Sequence, residues 1–225
     1  VRIATDTELV TFNNWTLRFK PSSTLSEVEG QNKRLLLLIH GWTGDENSMW
    51  IFTKGLPPDY WMVAPRAPYS VQPSGYSWRP PQPDIFGRPS LKALKPAADE
   101  LISFVDAYSS TVRVDAEQFD VMGFSQGAAM SNVLALLYPH RIRKVGILSG
   151  FVPSGLEEAL AARPLEGKPF FVSHGTRDEL VPIERAQASI EALKQAGAQV
   201  TYCEDEVGHK VGANCSRALK EFFKD

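Results

Sequence analysis

Gly123-Phe124-Ser125-Gln126-Gly127 constrains this chain more than any other stretch, because the G-x-S-x-G pattern joins two apolar runs of different character. Phe119-Asp120-Val121-Met122 reads as a buried strand, and Ala128-Ala129-Met130 through Leu137 as a buried helix. A serine at so tight a strand-to-helix turn sits at a strained apex with its hydroxyl pushed into the open. The flanking glycines leave room that side chains would obstruct. The alternative is an ordinary turn, since Gly and Ser are common turn residues. The apolar context on both sides favours a nucleophile.

Apolar runs and their punctuation organise the rest. Leu9 to Phe19 alternates apolar and polar residues around Asn13-Asn14, which predicts an antiparallel hairpin at a sheet edge. The polar stretch from Pro21 to Lys33 leads into Leu35-Leu36-Leu37-Leu38-Ile39, read as a central strand. The loop His40-Gly41-Trp42-Thr43-Gly44-Asp45 follows, then a short helix over Glu46 to Thr53 and a short strand from Tyr60 to Ala64. Prolines and glycines from Pro65 to Pro89, around Tyr69, Tyr76, Trp78 and Phe86, predict a long loop of functional or mobile character. Helix is expected from about Ser90 to Tyr108, with Pro96 imposing a kink or a late start.

Beyond the serine turn, strands are expected at Val145 to Leu148, Pro169 to Ser173 and Val200 to Cys203. Helices are expected near Leu156 to Ala161, from Ile183 to Gln195 with Gly197 closing it, and from Asn214 to Phe223. Strands alternating with helices predict an α/β fold with a mostly parallel sheet and right-handed crossovers. Residues 1–225 fit a single domain with a full core.

Composition narrows the function classes. Lys and Arg number 24 against 26 Asp and Glu, a net charge of −2 with no basic block, so neither nucleic acid nor an anionic membrane is an expected partner. The longest apolar run, Leu35 to Ile39, is far too short to span a bilayer, and no stable membrane insertion is expected. The N-terminus lacks a charged-then-apolar signal pattern, although a chain opening on Val1 leaves room for residues upstream. Cys203 and Cys215 make no disulfide scaffold and, with His209, no recognisable zinc spacing. Free thiols in a reducing cytoplasm are the favoured reading, with a single bridge as the alternative. No metal or organic cofactor is expected.

A serine alcohol needs a base within hydrogen-bond reach, the base needs an orienting acid, and the developing oxyanion needs donors. In a fold of this class those groups belong on loops after the carboxyl ends of strands, in the order Ser, Asp, His. His174-Gly175-Thr176-Arg177-Asp178 follows the Phe170-Phe171-Val172 strand and precedes Leu180-Val181-Pro182, which puts Asp178 in such a loop. Val207-Gly208-His209 follows the last strand and precedes the last helix. Ser125, Asp178 and His209 are therefore the candidate catalytic residues, with Asp205 and Asp120 as rival acids. Of the other histidines, His40 is read as holding the loop after the central strand, His174 as a packed or hydrogen-bonded structural group, and His140 as surface. Glu204-Asp205-Glu206 is read as a solvated face.

This arrangement resembles the serine α/β-hydrolases, and within them the phospholipase/carboxylesterase family that includes acyl-protein thioesterases. The resemblance is carried by His40-Gly41 with Gly44-Asp45, by Gly123-Phe124-Ser125-Gln126-Gly127, by the Asp178 loop with Val181-Pro182, and by Gly208-His209. It implies an α/β-hydrolase fold with helices on both faces of the sheet and no large cap domain. It further implies Ser125 as nucleophile, Asp178 as acid, His209 as base, and an oxyanion held by the backbone N–H groups of Trp42 and Gln126. Gln126 heads a helix, where an amide and the helix dipole both favour negative charge. Two departures stand out. Trp42 is bulky where the better-known thioesterases carry a small or aliphatic residue, and Ser77-Trp78-Arg79 runs into Pro80-Pro81 without matching their acyl-binding loop. Both argue against protein-linked palmitoyl substrates.

The expected activity is that of a carboxylesterase cleaving short to medium acyl or aryl esters of small molecules through an acyl-enzyme, in a monomer or homodimer. Trp50, Tyr69, Trp78, Phe151, Leu180 and Val181, with Trp42, are expected to line an apolar groove or else to pack the core. Thioesterase, lysophospholipase and acyltransferase activities are alternatives within the family. A dienelactone-hydrolase-like enzyme would carry cysteine where Ser125 stands, and a peptidase would need a cap or propeller that 225 residues do not spare. A non-catalytic binding relative would lose a member of the triad.

Overall fold

A computed structural model describes residues 6–23, 34–81 and 89–224. Most of the polar stretch ahead of the central strand, at 24–33, and the part of the Pro/Gly-rich loop at 82–88 that includes Phe86 lie outside the described residues.

Local sequence accounts for most element boundaries. β1 (Glu8–Phe12) and β2 (Trp15–Lys20) form the expected hairpin, with Phe12 opposite Trp15 and Asn13 in the left-handed region (φ 51°) that asparagine tolerates. β3 (Arg34–Ile39) is followed by a 3₁₀ turn at Ser48–Phe52, shorter than the expected helix, and by β4 (Tyr60–Pro65). The long Pro/Gly-rich loop contains a small antiparallel pair, β5 (Tyr69–Ser70) with β6 (Tyr76–Ser77). α1 (Leu91–Val112) does not start late. Ser90 caps it by accepting the Ala93 N–H, and the helix runs through Pro96 and ends four residues past Tyr108. Its buried stripe of Leu94, Ala97, Ala98, Leu101 and Phe104 outweighs the N–H that Pro96 withholds from the ladder.

The second half alternates as expected: β7 (Phe119–Phe124), α2 (Gln126–Leu137), β8 (Ile142–Leu148), α3 (Glu157–Ala161), β9 (Pro169–Gly175), α4 (Ile183–Gln195), β10 (Gln199–Asp205) and α5 (Ala213–Lys224). The eight-stranded sheet has the order β1-β2-β4-β3-β7-β8-β9-β10. From β4 across to β10 it is parallel, while β2 pairs antiparallel to both β1 and β4.

Because side chains alternate across a strand, the parallel strands feed two cores. Leu35, Leu37, Ile39, Val121, Val145 and Phe170 pack with α1, α2 and α4 on one face. Leu36, Leu38, Met122 and Phe171 pack with Met49 and Trp50 of the 3₁₀ turn and with Cys215, Leu219 and Phe223 of α5 on the other. Leu35 through Ile39 are fully buried, each contributing about 1.5–3 kcal/mol by leaving water. A strand covered on both faces needs this continuous apolar run.

Packing of β10 against α5 overturns two readings of the sequence. Cys203 and Cys215 are not free thiols but a disulfide, because the end of β10 lies against the first turn of α5, with the two Cα atoms 5.5 Å apart. Asp205 is not simply solvated. Its carboxylate accepts the Cys215 N–H (2.9 Å) and the Asn214 Nδ2–H (2.7 Å), capping α5 from the neighbouring strand. Among the described residues, no helix is long and apolar enough to cross a membrane.

Candidate active site

Strand order reverses at β3: the chain proceeds to β4 on one side and later returns to β7 on the other. In open parallel sheets, ligands bind outside the carboxyl ends of the strands at such a switch point. The loop after β3 and the turn after β7 meet there. A Cβ built on Gly41 would lie 3.3 Å from Ser125 Cβ.

Ser125 occupies the left-handed side of backbone space (φ 53°, ψ −113°), the strain expected of a nucleophile elbow. Crowding explains the flanking glycines. A Cβ on Gly123 would come within 2.1 Å of Gly127 O, and one on Gly127 within 2.0 Å of Ile39 O. α2 is thereby pressed directly onto the sheet, and Gln126 offers the first amide of that helix, which has no intrahelical acceptor. The Gln126 side chain has its own task. It accepts the Trp78 N–H (2.9 Å) and donates to Ser77 Oγ (3.2 Å), tying the end of the Pro/Gly-rich segment to the elbow.

Asp178 and His209 come to the elbow from the loops after β9 and β10. His209 Nε2 is 2.9 Å from Ser125 Oγ, and Nδ1 is 2.7 Å from Asp178 Oδ2. Asp178 is buried, and its Oδ1 accepts the N–H groups of Leu180 (3.0 Å) and Val181 (2.9 Å). The carboxylate is thus held in place, and its free oxygen demands a proton on His209 Nδ1. That leaves Nε2 as an acceptor facing the serine hydroxyl. Phe124 lies against the imidazole at 5.0 Å and stacks on Phe52 at 5.5 Å, so the residue before the candidate nucleophile also walls the candidate base, a contact the motif alone does not advertise.

The rival groups have other work. Asp120 lies near the opposite end of β7, about 16 Å of strand from Ser125, and pairs with Arg143, the Tyr60 hydroxyl and the Lys144 N–H. His174 is buried behind the candidate acid, with its Nε2–H on Val181 O (2.7 Å) and 3.6 Å from Asp178 Oδ2. His140 is exposed, as expected.

His40 holds the loop that carries Trp42. Its Nδ1–H donates to Gly41 O (2.7 Å), its Nε2 accepts the Ala67 N–H (3.0 Å), and the Trp78 indole N–H donates to His40 O (2.8 Å). Across the loop, Thr43 N–H donates to Tyr76 O and Tyr76 N–H to Gly44 O, both at 3.0 Å. Buried Glu46 grips Arg66 through two hydrogen bonds. Burial pushes the His40 pKa down to about 4, against the pull of its bond to Gly41 and of Asp45 and Glu46. An unfolded histidine near 6.5 takes up its proton first, so this contribution is complete above 6.5 and lost as pH falls to about 4. We expect the unfolding free energy to drop by up to roughly 3 kcal/mol across that window, and the slope to flatten in His40→Gln, as measured by urea titration.

The expected groove residues divide. Trp78 is fully buried and Trp50 nearly so, its indole N–H on Glu46 O, so both belong to the core. Val181 is buried, and Phe151 is buried beneath the Arg185 guanidinium, lining a separate cleft between α3 and α4. Tyr69 is half-buried, whereas Leu180 (64% exposed) and Trp42 (40% exposed) stand at the surface. Ser77 and Arg79, the neighbours of Trp78, line a cavity of about 220 Å³ with Trp42, Val71, Pro80 and Pro81. Trp78 thus points into the core while Ser77 and Arg79 on either side of it reach the cavity. Among the described residues, the one cluster of metal-ligand type is Cys203, Asp205 and Cys215, whose sulfurs are bonded to each other and whose carboxylate caps α5.

The family model described as phospholipase/carboxylesterase matches residues 22–224. The carboxylesterase SOBER1 of Arabidopsis thaliana is 32% identical over 111 residues, a match spanning 48% of each protein. Acyl-protein thioesterase 1 of Debaryomyces hansenii is 27% identical over 195 residues, covering 79% of this chain and 83% of that one. Among solved structures, a carboxylesterase from Mesorhizobium loti shares the fold with a TM-score of 0.78 at 19% identity, covering 96% of this chain and 98% of that one.

Proposed function

The chain belongs to the phospholipase/carboxylesterase family of α/β-hydrolases, and from that premise we propose that it is a serine carboxylesterase using Ser125, His209 and Asp178. One observation carries this reading: a continuous chain of hydrogen bonds, 2.9 Å and 2.7 Å, from the Ser125 hydroxyl through His209 to Asp178. His209 Nε2 takes the serine proton as Oγ attacks the ester carbonyl, and Asp178 stabilises the imidazolium. Backbone N–H groups of Trp42 and Gln126 hold the oxyanion, each worth on the order of 3 kcal/mol. The alcohol leaves with the proton from His209, and water activated by the same imidazole releases the acid from the acyl-enzyme.

Short to medium acyl or aryl esters fit best. The cavity beside Trp42, of about 220 Å³, is smaller than the roughly 300–1,000 Å³ usual for drug-sized ligands, and its Val71, Pro80 and Pro81 walls suit an apolar group. Thioester cleavage is the second reading, favoured by the acyl-protein thioesterase relative, whose match covers most of both chains. The acting unit would be a monomer or homodimer. The disulfide favours an oxidising compartment over the cytoplasm that free thiols would have suggested. A p-nitrophenyl ester series from acetate to palmitate, run beside matched thioesters, tests the proposal. Rates should peak at the short to medium esters, and a peak at palmitoyl thioester would overturn the substrate assignment.

A further inference from the structure

The disulfide brackets the candidate base. Cys203 and Cys215 are 12 residues apart, and the segment they close contains His209 near its middle. β10 is anchored to β9 as far as Asp205 opposite Gly175, and α5 resumes at Ala213. Between them, residues 206–212 form no helix or strand. Arg177 holds this loop to its neighbours, with its backbone N–H on Val207 O (3.0 Å) and its guanidinium on Glu206 O (2.7 Å). That guanidinium side chain is 67% exposed, so water competes for the contact.

His209 itself is bonded to buried Asp178 (2.7 Å), and two further attachments lie at the ends of the loop. Cys215 is fully buried in the core between the sheet and α5, with Leu219 and Phe223, and the disulfide ties it to the end of β10. Asp205 makes a second clasp across the same gap through the Cys215 N–H and the Asn214 amide. The covalent bond therefore fixes the distance between the strand and helix from which the His209 loop is hung.

We propose that the Cys203–Cys215 disulfide positions His209 against Ser125, making the activity responsive to reduction. This rests on the reading of Ser125 and His209 as nucleophile and base. In the reductive step, the thiolate of a dithiol attacks the sulfur of Cys203, the more exposed of the pair, and Cys215 departs. The second thiol of the reductant closes on the mixed disulfide and frees Cys203. Two electrons and two protons pass to the protein, and the reductant leaves as a cyclic disulfide. β10 and α5 remain joined by the Asp205 clasp, but the span between them is no longer fixed. The loop samples geometries in which the imidazole is too far from the serine oxygen, and misplacement of about 1 Å is costly in such sites.

The test uses the whole protein, oxidised or reduced with dithiothreitol. Turnover of p-nitrophenyl acetate is measured beside circular dichroism and amide hydrogen exchange. Reduction should lower kcat about tenfold with KM nearly unchanged, and reoxidation should restore it. Exchange at 206–212 should quicken while β3 and β7 stay protected. A Cys203→Ser, Cys215→Ala double variant should behave like the reduced protein and ignore the oxidant. If the oxidised protein turns over no ester, the catalytic reading fails and this proposal with it. Undiminished kcat with unchanged exchange at 206–212 after reduction would overturn the positioning role alone. Loss of the circular dichroism signal on reduction would also overturn it, by marking the bond as a support of the whole fold.

Discussion

Ser125→Ala is expected to cut ester turnover by about 10⁴-fold or more while leaving the fold and its urea midpoint almost unchanged. The structure explains why activity and stability should separate at this position. Ser125 precedes α2 but makes no side-chain capping bond, and its backbone N–H is bound to Leu148 O at 2.9 Å, which alanine retains. The change removes one oxygen, the one facing His209 Nε2. A parallel assay of p-nitrophenyl acetate hydrolysis and urea unfolding checks both halves. Retained turnover would place the nucleophile elsewhere, and a collapsed midpoint would mean that the hydroxyl serves the fold.

Asp178→Asn should be nearly as damaging, about 10⁴-fold in kcat, for a subtler reason. Two backbone N–H groups, from Leu180 and Val181, converge on Oδ1, so an asparagine would keep its carbonyl oxygen there. Its amide then replaces Oδ2 and turns N–H bonds toward His209 Nδ1. The imidazole responds by carrying its proton on Nε2, where it can no longer accept one from Ser125. Near-native stability with this loss of rate is the expected pattern. A fall of less than about tenfold in kcat would assign the orienting role to another group.

The alternating architecture was readable because each element's pattern and stop signals agree. Ile183–Gln195 forms α4 with both ends where the apolar spacing put them, and Gly197 takes the positive φ (99°) needed just past its end. The candidate triad was readable for a topological reason: in a parallel sheet the loops after successive strands open on one edge, so order along the chain maps onto place.

What the sequence did not disclose depends on distant segments meeting. The choice between groove and core at Trp50 and Trp78 is one such case: Trp50 packs in the 3₁₀ turn with its indole N–H on Glu46 O, and the Pro/Gly-rich segment folds back and is pinned by Gln126, which carries Trp78 inward to His40. Pairing of Cys203 with Cys215 follows from the packing of β10 on α5, which no spacing rule encodes. The continuation of α1 through Pro96 is likewise decided by the face it buries and not by local propensity.

In the proposed mechanism the imidazole of His209 makes Ser125 the attacking group. Its most direct test is the rate of covalent labelling by a fluorophosphonate, mapped by peptide mass spectrometry in the wild type and in His209→Ala. One adduct is expected, on Ser125, forming at least about 10³-fold more slowly without the imidazole. An adduct on another residue of the folded protein, or equal labelling rates in the two proteins, would contradict it.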